Sequence, residues 1–321
     1  MFSSPPTPIP LYQQSFHELN LLSITTPWVS HGHYRDVWKI LEDDSGQHPR
    51  ALKTLQYHHT MDPATMKRHR KDAVAHDVLT SSHYIANIYG YCSNSALHDY
   101  SQGGDLSHLF QQGTKPMSKH KLLQLAYRLA ASVHDAHHVD DKGQATMVHT
   151  DIKPYQWILI NGEYQLNDFN RNIFMSWNTA LQRTNKFTFT DNGGLWRSPE
   201  EYAFANEDEK IDVWSLGNVL YFVLTQGKIP FVTTGVSWNI ASVTERVKHG
   251  GYPIIKDEQI LQSKHTYDVA MLQAMKQCFI ADPKKRASSG EIRQIFARAL
   301  NQLPFETSTS HTDNATNHTT M

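Results

Sequence analysis

The sequence has few cysteines, no long apolar run and almost no net charge. Cys92 and Cys278 are its only cysteines among 321 residues. Two distant cysteines provide no disulfide framework, so we expect a reducing environment. No stretch of about 18 apolar residues predicts a membrane span, and residues 1–21 lack the apolar core of a signal peptide. The formal charge of -1 gives no electrostatic basis for binding nucleic acid or an anionic membrane. We therefore expect a cytoplasmic globular protein with neither partner.

Histidine, in contrast, is abundant. The chain has 20 histidines, scattered along its length without the paired spacing typical of a metal site. We expect most of them at the surface and no dedicated metal site among them.

The chain divides into three parts by composition. Residues 1–20 and 301–321 are predicted to be a flexible extension and a disordered tail, because they offer little apolar surface to bury. Between them, residues 21–300 are predicted to form one domain with a boundary near residue 100. Residues 21–99 contain β-type runs at 28–41, 50–57 and 85–92.

One helix is predicted within that first part. Asp62 is a favourable N-cap and Pro63 suits the first helical position, which indicates a helix over about 63–80. Residues 100–300 are mainly helical in pattern: Leu122, Leu125, Leu129 and Val133 form one apolar stripe, and 213–225 is apolar nearly all round. The predicted fold class is therefore α+β, with a small β-rich lobe, a larger helical lobe and a cleft between them.

The segments with the clearest chemistry contain two aspartates 17 positions apart, each after a strand-like run. They are His149-Thr-Asp-Ile-Lys-Pro154 and Leu166-Asn-Asp-Phe-Asn170. A single aspartate in a loop is usually a cap or a turn residue. The pair is more informative because other polar residues accompany it in a fixed order along the chain, namely Lys53, Pro199-Glu200, Asp212 and Arg286.

This ordered set resembles the protein kinase superfamily over about residues 28–300, and also looks like a divergent subgroup of these kinases from single-celled algae. The resemblance implies a two-lobed kinase fold that uses ATP and Mg²⁺ to phosphorylate Ser/Thr hydroxyls of a protein substrate. Phosphoryl transfer depends on positioning and on neutralised charge rather than on covalent help from the protein. Asp151 would be the catalytic base, Lys153 would steady the transferred phosphate, and Asp168 and Gln156 would hold metal.

The resemblance also implies a nucleotide site and three architectural contacts. The residues matched to nucleotide binding are Gly32, Val37, Ala51, Lys53, Asp99 and Ile158. Asp212 would hold the backbone of the catalytic loop, and Glu200 and Arg286 would form a buried ion pair.

Several positions depart from the family pattern. Of the three glycines expected in the phosphate-covering loop only Gly32 remains, since Ser30 and Arg35 replace the others. Thr150 replaces an arginine that normally receives an activation-loop phosphate. Gln156 replaces the asparagine that normally holds the second metal.

Further departures are Asn170 and Gly193, which stand where a glycine and a threonine are usual. The helix residue that should pair with Lys53 is Asp72 or Asp77 in place of glutamate. Two hypotheses stay open: an active Ser/Thr protein kinase, and a pseudokinase that serves as a nucleotide-binding or scaffold module.

Overall fold

The computed structural model describes residues 28–32, 34–41, 49–59, 62–111, 114–140, 143–232 and 239–303. The predicted extension at 1–20 and residues 304–321 of the predicted tail lie outside the described residues, as does the turn at 42–48. Within these ranges the chain forms a β-rich N-terminal lobe and a mainly helical C-terminal lobe that meet near residue 100, which confirms the predicted α+β class.

The N-terminal lobe is built on a five-stranded antiparallel sheet with the strand order β1-β2-β3-β5-β4. Its strands are β1 (Trp28–His31), β2 (Arg35–Leu41), β3 (Pro49–Leu55), β4 (Ile88–Cys92) and β5 (Ser95–Asp99). The central strand β3 pairs with β2 through Val37 and Lys53 and with β5 through Ala51 and His98. Lys53 therefore lies on the central strand of the sheet.

Helix α1 (Pro63–Val78) begins where the sequence predicts. The Asp62 side chain accepts hydrogen bonds from the backbone N–H groups of Ala64 and Thr65, at 2.8 and 2.9 Å. Such a cap satisfies amides that the first turn leaves without an intrahelical partner. The buried residues Ala75 and Leu79 join the large apolar core that continues into the C-terminal lobe.

The C-terminal lobe combines short strands with most of the helices. Its elements are α2 (Lys119–His137), β6 (Met147–Val148), β7 (Trp157–Ile160), β8 (Glu163–Leu166), β9 (Ile173–Phe174), β10 (Trp177–Asn178), β11 (Arg183–Thr184), α3 (Pro199–Tyr202), α4 (Lys210–Leu224), α5 (Ile240–Lys248), α6 (Glu258–Leu261), α7 (Thr266–Cys278) and α8 (Ser289–Asn301). The pairs β6–β9 and β7–β8 are antiparallel and carry the two aspartate segments at their ends.

Helices α2 and α4 confirm the two strongest helical patterns of the sequence. The α2 stripe of leucine and valine is buried, and every residue of α4 from Ile211 to Leu224 is buried. Close packing explains the glycine inside α4, because a Cβ atom added at Gly217 would lie 2.7 Å from Cβ of Cys278. None of the described helices is both long enough and apolar enough to cross a lipid bilayer.

Backbone hydrogen bonds join the two lobes behind the cleft. The N–H of Ala86 donates to the carbonyl of Leu166 at 2.9 Å, and the N–H of Leu166 donates to the carbonyl of Tyr84 at 2.8 Å. Strand β8 is thereby fixed to the segment before β4. The turn that follows β8 is held beneath the sheet, facing Lys53.

A buried ion pair connects α3 to the segment before α8. Arg286 donates to the two carboxylate oxygens of Glu200 at 2.8 and 3.0 Å, and it also donates to the carbonyls of Lys210 and Ile280. Only 2% of Arg286 is exposed. The ion pair expected from the sequence is present, and it holds the end of the activation segment, residues 168–200, against the helical core.

Removing one partner of this pair should destabilise the fold strongly. Arg286→Met leaves the Glu200 carboxylate buried without its counter-ion, which typically costs about 3–5 kcal/mol. We expect a lower midpoint of urea unfolding. Lys285→Met is the matched control, because that neighbouring lysine is 79% exposed, and the double variant with Glu200→Met should regain part of the loss. Equal midpoints for Arg286→Met and Lys285→Met would contradict this prediction.

Candidate active site

The buried carboxylate of Asp212, on α4, holds the loop that follows β6. It accepts hydrogen bonds from the N–H groups of His149 and Thr150, at 2.6 and 2.9 Å. The Nε2–H of His137 donates to the same carboxylate at 3.0 Å. Asp212 therefore contacts the catalytic-loop backbone as the sequence pattern predicts. His137 is an addition that the sequence analysis did not identify.

Thr150 takes a backbone conformation that is unusual for a β-branched residue. Its φ angle is +63°, in the left-handed region where such side chains are strained by roughly 1–3 kcal/mol. Its N–H is held by Asp212, and its hydroxyl donates to the carbonyl of Arg171 at 3.0 Å. The next residue in the chain, Asp151, is itself buried.

Asp151 is the centre of a dense set of polar contacts. The Lys153 ammonium lies 2.7 Å from Oδ2, and the Gln156 side-chain amide donates to Oδ2 at 2.6 Å. The Arg197 guanidinium donates to Oδ1 at 2.8 Å. Burial by itself would raise the pKa of Asp151, but the charges of Lys153 and Arg197 outweigh it and lower the pKa below its ordinary value. The carboxylate is therefore ionised at neutral pH.

Arg197 is a site residue that the sequence analysis missed. It is 8% exposed, and besides Asp151 it contacts the carbonyl of Thr150 at 2.5 Å and the carboxylate of Glu201 at 3.3 Å. Glu201 also closes a capping box with Ser198 at the start of α3. Arg197 immediately precedes the Ser198-Pro199-Glu200 motif. This position next to the motif was the one feature of the sequence that could have indicated Arg197 as a site residue. Its contact with Asp151 spans 46 residues.

Asp168 lies on the turn after β8. Its φ angle is +64°, and its Oδ1 accepts a hydrogen bond from the Asn170 side chain at 2.6 Å. The adjacent Phe169 is fully buried and packs against the His149 ring. Phe169 therefore points into the core and Asp168 toward the cleft. Burial raises the pKa of Asp168, and the negative charges of Asp72 and Asp151 raise it further against the opposing charge of Lys53.

Lys53 reaches this turn from β3. Its ammonium donates to Oδ1 of Asn167 at 3.0 Å, a contact between residues 114 positions apart. Burial lowers the pKa of Lys53, while the charges of Asp72 and Asp168 oppose that shift. Asn167 is a second site residue that the sequence analysis missed, although it lies within the quoted Asn-Asp-Phe-Asn segment.

Of the two helix acids considered for Lys53, the structure places Asp72 at the cleft, whereas Asp77 is exposed on the other side of α1. Asp72 accepts the N–H of Phe169 at 2.8 Å and pairs with Arg35 at 2.7 Å. Among the described residues, the cation that contacts Asp72 directly is therefore Arg35. Arg35 is the first residue of β2 and stands where a glycine is usual in the phosphate-covering loop. Lys53 influences Asp72 only through its charge.

Three of the residues matched to nucleotide binding are apolar and lie on strands of the two lobes. Val37 pairs across the sheet with Lys53, and Ala51, 6% exposed, pairs with His98. Because directly paired residues and residues two positions apart share a face of a sheet, Val37 and Ala51 lie on the same face as Lys53. Ile158 lies on β7 in the C-terminal lobe.

Gly32 and Asp99, also matched to nucleotide binding, form hydrogen bonds within the N-terminal lobe. Gly32 begins the turn into β2, and its N–H donates to the carbonyl of Arg35 at 2.8 Å. Asp99 ends β5, where its carboxylate accepts the Tyr89 hydroxyl at 2.6 Å and the Asn87 N–H at 3.0 Å. The Asp99 side chain is thus engaged within the N-terminal lobe, and its N–H also donates to the carbonyl of Asn87 at 3.2 Å.

Comparison with known proteins agrees with this arrangement. A family model described as "Protein kinase domain" matches residues 28–299. Curated relatives include mitogen-activated protein kinase kinase kinase 7 of Homo sapiens, 24% identical over 230 residues that cover 68% of this chain and 34% of the relative. A Wee1-like protein kinase of Arabidopsis thaliana is 25% identical over 291 residues, 88% of this chain and 49% of the relative.

A shorter match is to the serine/threonine-protein kinase Nek2 of Homo sapiens, 30% identical over 128 residues that cover 38% of this chain and 27% of the relative. The chain thus spans at most about half the length of these relatives. The family model matches most of the chain, from residue 28 to residue 299. On this evidence the chain belongs to the protein kinase family.

Proposed function

We propose that this protein transfers the γ-phosphate of ATP to Ser/Thr hydroxyls of protein substrates, with Mg²⁺ as the required metal. The observation that carries the proposal is the Asp151 carboxylate, ionised and 2.7 Å from the Lys153 ammonium in a cleft shared with Lys53 and Asp168. A catalytic base must be unprotonated and within reach of its substrate. The adjacent lysine offers the positive charge that a transferred phosphoryl group needs.

Each group has a distinct task in this proposal. Asp151 orients the acceptor hydroxyl and takes its proton, and Lys153 neutralises charge on the phosphoryl oxygens. Lys53 contacts the nucleotide phosphates from above, positioned by its hydrogen bond to Asn167. Val37, Ala51 and Ile158 contact the adenine, and Asp99 and Gly32 lie at the border of the nucleotide site.

The residues present fit a magnesium ion. Asp168 is raised in pKa partly by two neighbouring carboxylates, those of Asp72 and Asp151, and a divalent cation would relieve that repulsion. Carboxylate and amide oxygens with phosphate and water are the ligands that Mg²⁺ prefers. Asp168 would hold the first ion and the Gln156 amide oxygen the second, since the nitrogen of that amide is engaged by Asp151. The bound metal would neutralise phosphate charge.

Lys153 and the similarity to a kinase whose name specifies serine/threonine support a Ser/Thr acceptor. Gly193, where a threonine is usual, removes one feature that such kinases share.

The decisive experiment incubates the purified chain with labelled ATP, Mg²⁺ and a generic basic protein, followed by phosphoamino-acid analysis. We expect phosphoserine and phosphothreonine. Asp151→Asn, which keeps the size of the side chain but removes the base, should abolish incorporation; label incorporated equally by that variant would exclude Asp151 as the base.

The two metal positions should respond differently to substitution. Asp168→Ala should abolish turnover because the first-metal carboxylate is lost, whereas Gln156→Asn should preserve or raise it because asparagine supplies the usual amide ligand one methylene shorter. Steady-state rates over a range of Mg²⁺ concentrations measure both effects. Turnover that persists in Asp168→Ala would show that the metal site is elsewhere.

A pseudokinase remains the second candidate, because one specific contact favours it. The Arg35 guanidinium forms an ion pair with Asp72, the acid of α1. Because Arg35 stands where the phosphate-covering loop usually has a glycine, its side chain reduces the space available to the nucleotide phosphates. Thermal unfolding with ATP, with and without Mg²⁺, separates the outcomes. Stabilisation without turnover would favour a nucleotide-binding pseudokinase, and no stabilisation at millimolar ATP would exclude nucleotide binding.

The activation segment is ordered by contacts that need no phosphate. Arg171 donates to the Asp191 carboxylate at 3.0 Å and to the Asp191 carbonyl at 2.6 Å, and its guanidinium stacks on the Phe189 ring. The Thr150 hydroxyl in turn holds the Arg171 carbonyl. Arg171 therefore anchors the segment from one side of the catalytic loop, where an arginine at position 150 would otherwise bind a phosphate.

Activity should accordingly be independent of phosphorylation at Thr184, Thr188 and Thr190. We expect the phosphatase-treated protein and the triple alanine variant to match the untreated enzyme. Arg171→Met should lower kcat because it removes all three anchoring contacts, whereas Arg183→Met, at an exposed position of the same segment, should not. A loss of more than about tenfold on dephosphorylation, roughly 1.4 kcal/mol in the barrier, would contradict the prediction.

A further inference from the structure

Two histidines and an aspartate meet in the interior of the N-terminal lobe, behind Lys53. Asp72 and His76 lie one turn apart on the buried face of α1, and His98 projects toward them from β5. The three residues are 1%, 0% and 1% exposed. One ligand atom from each lies within 4.8 Å of the others. The sequence predicted mostly surface histidines and no metal spacing, so this cluster is a product of the tertiary fold.

The hydrogen bond of His76 fixes which of its nitrogens has a free lone pair. Nδ1 lies 2.7 Å from the carbonyl oxygen of Ala86. A carbonyl can only accept, so Nδ1 carries the hydrogen and Nε2 of the neutral ring presents its lone pair. Metal-binding histidines are commonly oriented by such a bond from the opposite nitrogen to a backbone carbonyl.

The free lone pair of His76 faces another acceptor. Nε2 is 3.6 Å from Oδ1 of Asp72, so two electron-rich atoms oppose each other in a space closed to solvent. A positive centre between them would make this arrangement favourable.

His98 provides an independent observation. Within the part of the chain that the structure describes, neither of its ring nitrogens meets a hydrogen-bond partner, although the ring is buried. Unsatisfied buried polar groups are destabilising and rare in native proteins. The ring lies 4.6 Å from that of His76 at 70°, which brings its nitrogens to the same space. A ligand at this point would satisfy His98, His76 and Asp72 together.

We propose that Asp72, His76 and His98 bind one transition-metal ion of the Zn²⁺ class, separate from the magnesium at Asp168. Two imidazole nitrogens and one carboxylate oxygen suit Zn²⁺, whereas Mg²⁺ prefers oxygen ligands alone. Tetrahedral bonds of 2.0–2.2 Å place ligand atoms about 3.3–3.6 Å apart. The 3.6 Å separation of His76 and Asp72 matches this value. The ligand atoms all lie within 4.8 Å of one another, so His98 needs to approach by at most about 1.5 Å.

The charged groups around the site influence how strongly it attracts a metal ion. Arg35 binds the other oxygen of Asp72, Lys53 faces it from β3, and Asp168 faces it from the turn below. These two cations and two carboxylates have no net formal charge, so the ion is not drawn in by excess negative charge. The bound ion would join α1 to β5 and fix the helix that carries Asp72.

The test is a titration of the full chain with Zn²⁺ against a chromophoric chelator, without nucleotide. We expect one equivalent to bind, and His76→Leu and His98→Leu to weaken it by at least the roughly 10–100-fold that outer-shell changes alone produce. His138→Leu is the matched control for adventitious binding. It disrupts a pair with His134 whose rings lie 4.3 Å apart at the C-terminal end of α2, where both side chains are half-buried, and it should leave the equivalent intact.

Two further measurements keep the outcome decisive. Co²⁺ added to the unmodified chain should give the visible absorption of a tetrahedral ion with nitrogen ligands, independently of whether the leucine variants fold, and His98→Gln should weaken that signal. Asp168→Ala should retain the Zn²⁺ equivalent while losing Mg²⁺-dependent stabilisation by ATP, so the two metal sites are tested separately. No bound equivalent in the unmodified chain, or binding that His76→Leu and His98→Leu leave unchanged, would overturn the proposal.

Discussion

The position of the active site depends on one buried carboxylate, that of Asp212. A buried charge is strongly destabilising unless hydrogen bonds satisfy it, and here two backbone amides and the His137 ring do so. Because the Nε2–H of His137 donates to Asp212, its Nδ1 accepts from the Ser289 hydroxyl at 3.0 Å. The catalytic loop is thereby tied to α2, α4 and α8 at once. The strained backbone of Thr150 is maintained by this anchor, and Asp151 takes its direction from it.

Asp72 has the corresponding role in the N-terminal lobe. Its two oxygens contact Arg35 on β2 and the N–H of Phe169 on the turn after β8. The carboxylate is shorter than the glutamate that the family usually has, but the long Arg35 side chain compensates for the missing reach. Two departures that appear unrelated in the sequence, the lost glycine and the shortened acid, thus form one contact. Lys53 is left to donate to the Asn167 side chain.

Similar compensation occurs in the activation segment. Thr150 cannot bind a phosphate, but the Arg171 guanidinium reaches the main chain and the carboxylate of Asp191. Farther along, Phe187 and Glu207 exchange backbone hydrogen bonds at 2.7 and 3.1 Å. Arg197 closes the segment against Asp151. The segment therefore has an ordered path along the catalytic loop that uses only groups of the chain itself.

Features that depend on local order along the chain could be predicted from the sequence. Asp62 and Pro63 predicted the start of α1, the leucine stripe predicted the buried face of α2, and the order of the polar motifs predicted the family. Capping, apolar periodicity and motif spacing are properties of neighbouring residues, so a single sequence contains them.

Only the tertiary structure decided the contacts between distant residues. Arg35 meets Asp72 across 37 positions, and Lys53 meets Asn167 across 114. The choice between Asp72 and Asp77 likewise depended on which face of α1 packs on the C-terminal lobe, and the meeting of His76 with His98 depended on the placement of β5 beside α1. Such pairs form because folding buries charges and polar rings that must then find partners in three dimensions, and the spacing of residues along the chain does not specify which partners those are.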